Sequence, residues 1–99
     1  MSIFVLAHFQ IHDQNGYSRY VELATPIFMR EGVKILANDT APVAMTQNMK
    51  ADKAVLLEFR DNAHMKRFFE LEDYKAAAVH RDGASTLSAM KFERFELPT

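Results

Sequence analysis

The segment Ile3 to Ile11, IFVLAHFQI, is apolar on both faces of what its β-branched and aromatic content predicts to be a strand. Ile3, Val5, Ala7, Phe9 and Ile11 share one face, while Phe4, Leu6, His8 and Gln10 share the other. Such a strand belongs inside a sheet that is covered on both sides. In a chain of 99 residues that requirement is severe. A chain this short buries only roughly 60–65% of the surface it exposes when unfolded.

The rest of the sequence alternates between helical and strand periodicity. Asp13 is placed to cap a helix in which Tyr17, Tyr20, Val21, Ala24, Ile27 and Phe28 recur at three- and four-residue spacing. Pro26 either kinks that helix or sits in the first turn of a second segment capped by Thr25. Gly32 ends it. Val33 to Asp39 reads as a second strand, and a polar stretch from Thr40 to Asp52 has room for a short extended piece at Val43 to Met45. Lys53 to Phe59, KAVLLEF, is the clearest strand. Asp61 then caps a helix bearing Met65, Phe68 and Phe69, continued by a helical turn from Glu72 to Arg81 that Gly83 breaks. The last strand runs from about Thr86 to Glu96.

The order β-α-β-β-α-β has one dominant solution, an α+β ferredoxin-like sandwich. Right-handed crossovers put two helices on one face of a four-stranded antiparallel sheet. The other face is then left with Phe4, Leu6 and either Leu56 or Leu57 uncovered. A second copy covers such a face most simply, so the sequence predicts a homodimer.

Composition narrows the function classes. Hydrophobic residues make up 48% and charged residues 25%, which suits one globular domain over residues 1–99. The net charge of −1 gives no pull toward nucleic acid or an anionic membrane. Without cysteine there is no disulfide, thiolate metal site or cysteine nucleophile. The opening MSIFVLAHFQ lacks a basic leader and a cleavage site, so a cytoplasmic protein is expected. Gly-rich phosphate loops and nucleophile elbows are absent, and no cofactor is expected.

Two histidines four residues apart, His8 and His12, invite a metal reading. On a strand, four residues span roughly 13 Å, too far for one ion, so no metal site is expected. His8 alone is either a half-buried ring bonded to backbone or a pocket residue suited to proton transfer or anion binding. Glu58, inside VLLEF, needs a partner such as Arg81 or Lys91, or else acts as a catalytic or ligand-orienting carboxylate. Tyr17, Tyr20 and Tyr74 are core residues or carry functional hydroxyls. The methionines at 45, 49, 65 and 90 read as packing.

AHFQIHDQNGYSRY resembles the opening of the domain of unknown function 1330 family through Ala7, His8, Asp13, Tyr17 and Tyr20. KAVLLEF with Asp61 is similar to its third strand, and DYKAAAVHRDGA places Tyr74, Arg81 and Ala84 on its characteristic positions. The middle departs. Gly32-Val33 stands where the family has Gly-Gly, Asn38-Asp39-Thr40 where it has Arg-Gly-Gly, and Met49 where a Trp is frequent. The resemblance implies a dimeric α/β barrel, whose superfamily spans cofactor-independent monooxygenases, isomerases, haem-active enzymes and ligand sensors.

Together these readings favour a homodimeric domain whose pocket takes a small organic molecule, anions among the candidates. Arg81 and His8 would meet an acid group, with Tyr20, Tyr74 and Glu58 orienting polar atoms. A cofactor-independent enzyme working by proton transfer at His8 or Glu58 is the alternative. A structural or interaction module is the third reading.

Overall fold

A computed structural model describes residues 1–98. Four strands, β1 (Ile3–Ile11), β2 (Lys34–Asp39), β3 (Lys53–Phe59) and β4 (Ser85–Glu93), form an antiparallel sheet in the order β2-β3-β1-β4. Three helices accompany it: α1 (Gln14–Arg30), α2 (Asn62–Glu70) and α3 (Glu72–Ala84). The architecture is the expected α+β, ferredoxin-like one. No helix among the described residues is long and apolar enough to cross a membrane.

Local chemistry sets the element ends. Asp13 accepts the Gly16 amide at 3.1 Å and starts α1. A Cβ on Gly16 would come within 2.9 Å of the Asp13 carboxylate and 3.0 Å of Ala84 Cβ, so a larger residue there would push the capping carboxylate aside. The amides of His12 and Asp13 both donate to Ala84 O, at 3.0 and 3.1 Å, tying the end of β1 to the end of α3. α1 runs unbroken through Pro26, so Thr25 caps no second helix; its hydroxyl donates instead to Val21 O at 2.7 Å. Gly32, at φ 70°, closes α1 while the Val33 amide bonds back to Phe28 O at 3.0 Å.

The structure differs from the sequence reading in four places. The second helical segment is two helices, because Leu71 takes an extended conformation (φ −61°, ψ 132°) between α2 and α3. Gly83 lies inside α3 rather than breaking it, and Ser85 Oγ donates to Arg81 O at the helix end. Val43 to Met45 forms no strand. β4 stops at Glu93, three residues early.

All three helices pack on one face of the sheet, the one holding Ile3, Val5, Ala7 and Phe9. Phe59 and Phe68 are fully buried there, and Phe28 stacks on Phe68 with ring centres 4.9 Å apart. Each such ring stabilises the fold by roughly 2–3 kcal/mol. The opposite face carries Phe4, Leu6 and His8, flanked through the register by Glu58, Leu56 and Ala54 on β3 and by Phe92, Met90 and Ser88 on β4. No element covers it among the described residues: Leu6 is 36%, Phe92 43% and Met90 62% exposed.

Candidate functional site

The polar groups of interest are delivered to the space between the helices and the sheet. Tyr17 and Tyr20 lie three apart on α1 and turn inward together. Tyr74 opens α3, and Arg81, two turns later, returns to the same side of the helix. Lys53 is the first residue of β3 and alternates in phase with Val55, Leu57 and Phe59. Its side chain therefore joins the helix-facing side of the sheet.

These residues wall a cavity of about 220 Å³, floored by Val5, Ala7 and Leu57. That is smaller than the roughly 300–1,000 Å³ typical of drug-sized ligand sites and suits a single-ring molecule. The Tyr20 and Tyr74 hydroxyls are 2.8 Å apart, and Arg81 Nη1 donates to Tyr74 Oη at 2.9 Å. Arg81 also lies over the Tyr20 ring at 5.5 Å and pairs outward with Asp82 at 3.1 Å. Lys53 Nζ sits 4.8 Å from the centre of the Tyr17 ring.

Electrostatics follow from burial and neighbours. Desolvation raises the Tyr17 and Tyr74 phenols well above the ordinary tyrosine value, with Tyr20 adding to the effect in both. Both stay neutral donors. Burial works against the Arg81 charge, but Tyr74, Tyr20 and Asp82 outweigh it and raise its pKa. Burial lowers the pKa of Lys53. Two cations thus line the cavity, and no Asp or Glu lines it.

Of the residues singled out from sequence, Tyr20, Tyr74 and Arg81 are brought into direct contact. His8 and Glu58 are not. Both lie on the opposite face of the sheet, His8 half-buried across from Ala54 and Ser88. Glu58 is buried, and its partner is Arg94 at 2.7 Å rather than Arg81 or Lys91. The Arg94 hydrogen bond, with one from Ser2, holds the Glu58 carboxyl below the usual carboxylate range. Lys91 bonds instead to Asn62 Oδ1.

Three further polar residues line the cavity that the sequence does not mark as site residues, Lys53, Asn38 and Thr25, beside Tyr17, which the sequence leaves between a core residue and a functional hydroxyl. The signal for Lys53 is its alternation phase, shared with the buried Leu57 and Phe59 and the half-buried Val55 of β3. Asn38 belongs to the segment that departs from the resembled family pattern, so that departure reaches the cavity wall; Met49 does not line it. Among the described residues no group of three His, Cys, Asp or Glu side chains is arranged to hold a metal ion.

The family model described as "Domain of unknown function (DUF1330)" matches residues 2–95. The chain belongs to the DUF1330 family. The run from Ala7 to Tyr20 that resembled its opening thus supplies this DUF1330 domain with a helix cap at Asp13 and two cavity tyrosines. No curated protein matches the sequence.

Solved structures share the fold. A protein of unknown function from Rhodopseudomonas palustris superposes with a TM-score of 0.83 at 16% identity, covering 97% of this chain and 84% of that one. A dimeric ferredoxin-like protein of unknown function from Thermobifida fusca gives 0.68 at 17% identity, covering 93% and 90%. SnoaB, a cofactor-independent oxygenase from Streptomyces nogalater, gives 0.67 at 15% identity, covering 99% and 98%. At these identities the likeness is one of fold.

Proposed function

We propose that this DUF1330 chain is a single cytoplasmic domain that works as a homodimer and binds a small organic anion in the cavity between its helices and its sheet. One observation carries the ligand class. The cavity wall holds two cations, Lys53 and Arg81, with three phenols and no carboxylate. Because Arg81 can only donate, Tyr74 accepts from it, and the Tyr20–Tyr74 bond uses one of their two hydroxyl protons. One proton of that pair remains to be offered to a ligand, beside the hydroxyl of Tyr17. A carboxylate or a delocalised oxyanion on an apolar ring matches that arrangement, with charge-assisted bonds at one end and the apolar floor under the ring.

The homodimer reading rests on the uncovered apolar face and on fold neighbours described as dimeric. Burying Phe4, Leu6, Leu56, Met90 and Phe92 against a second copy completes the two-sided coverage that β1 demands. In this reading His8 and Glu58 belong to the dimer-forming face rather than to the ligand.

A second reading has one specific support, the shared fold of the oxygenase SnoaB. The same donors would stabilise an enolate or phenolate as negative charge develops on its oxygen. The test is native mass spectrometry of freshly purified protein. A dimer carrying an acidic small molecule fits both readings, and turnover of that molecule on incubation selects the enzyme. A monomer contradicts the homodimer.

A further inference from the structure

We propose that Lys53 captures carbonyl compounds: its amine forms a reversible imine with small aromatic aldehydes and oxo acids that enter the cavity. The proposal rests on the anion-binding reading and names the substrate class within it.

Placement comes first. Lys53 is only 7% exposed, yet it lines the cavity rather than the packed core beneath it. Among the described residues it forms no ion pair within 4 Å, and the neighbouring Asp52 turns its Oδ2 to the Ile11 amide at 2.7 Å. Its ammonium lies over the face of the Tyr17 ring. A buried ammonium without a counter-ion is the setting in which lysine gives up its proton most readily and becomes a nucleophile. The lowered pKa of Lys53, caused by burial, agrees with this. The other lysines differ: Lys75 pairs with Glu72 at 3.1 Å, Lys91 bonds to Asn62, and Lys34, Lys50 and Lys66 are exposed.

Arg81 supplies the second half of the recognition. Two aromatic rings, Tyr17 and Tyr20, separate it from Lys53 along the cavity wall. A ligand with a carboxylate at one end and a carbonyl at the other can address both residues. The amine nitrogen attacks the carbonyl carbon, forming the C–N bond. The carbonyl oxygen takes up the proton that nitrogen releases, and loss of the resulting hydroxyl with a second nitrogen proton, as water, leaves the C=N bond. The step is neither oxidation nor reduction. Water restores the amine.

The experiment treats the wild-type protein with 4-formylbenzoate and cyanoborohydride and locates the reduced adduct by intact mass and peptide mapping. Binding of benzoate, which carries no aldehyde, is measured alongside by calorimetry. The expected result is one adduct on Lys53, favoured roughly ten-fold or more over the exposed lysines and suppressed by excess benzoate. Adducts spread over Lys34, Lys50 and Lys66, with Lys53 unlabelled while benzoate still binds, overturn the imine and leave the anion site standing. If Lys53 is unlabelled and benzoate does not bind, both readings fall.

Discussion

Tyr20 and Tyr74, 54 residues apart in the sequence, meet with their hydroxyl oxygens 2.8 Å apart, and Arg81 binds the second of them. The pair joins α1 to α3 across the cavity. Its two members are not equivalent. Tyr74→Phe removes two hydrogen bonds, one of them from a guanidinium, whereas Tyr20→Phe removes one. Chemical denaturation should therefore show a loss of about 2–3 kcal/mol for Tyr74→Phe against about 1 kcal/mol for Tyr20→Phe. Equal losses would mean that Arg81 contributes nothing through Tyr74.

Glu58 and Arg94 make stability depend on pH. The folded carboxyl titrates below its unfolded value, chiefly because Arg94 bonds to the charged form. The stabilisation is thus fully present above the unfolded value and is lost as pH falls through the folded one. Glu58→Gln keeps the shape and removes the charge. Its melting temperature should lie below that of the wild type at neutral pH, and the gap should close progressively as pH falls below the ordinary glutamate value of about 4.3. A pH-independent gap would show that the charge is not what Arg94 reads.

His64 is a buried latch rather than a site residue. Its Nδ1 accepts the Arg60 amide at 3.1 Å, so the proton belongs on Nε2, which lies 2.8 Å from Glu31 O. The ring thereby joins the end of α1 to the start of α2. His64→Phe strands both backbone groups and should cost roughly 1–3 kcal/mol. By thermal melting that corresponds to a drop of at least about 4 °C in a domain of this size. An unchanged melting temperature would contradict the latch.

Much of the fold was legible because period and phase were clean. The two-sided apolar β1, the Tyr17–Phe28 stripe and KAVLLEF fixed three elements and the open face. Leu71 is harder to read, since it interrupts a helical pattern without proline or glycine. The candidate site was partly legible. Tyr20, Tyr74 and Arg81 stand out in the sequence as polar groups on apolar elements, and they meet. His8 and Glu58 are chemically suited to the same group, but strand alternation puts them on the other face of the sheet. A lysine at the head of a strand has the character of a solvated end, and for Lys53 only its phase with Val55, Leu57 and Phe59 says otherwise.

The open face makes a prediction about assembly. Leu6 lies between Leu56 and Met90 in the register, inside the patch proposed to meet a second copy. Sedimentation equilibrium should give a dimer for the wild type and a monomer for Leu6→Glu, since a carboxylate there would be buried without a partner. A wild-type monomer would leave β1 uncovered and contradict the assembly.

The central claim is that the cavity binds an organic anion, and amide NMR titration with benzoate and with neutral benzamide tests it most directly. Benzoate should shift resonances around Tyr20, Lys53, Tyr74 and Arg81 saturably, with Arg81→Met weakening it about ten-fold or more, while benzamide binds far more weakly. Equal responses to the two compounds, or benzoate shifts confined to the exposed surface, would contradict it.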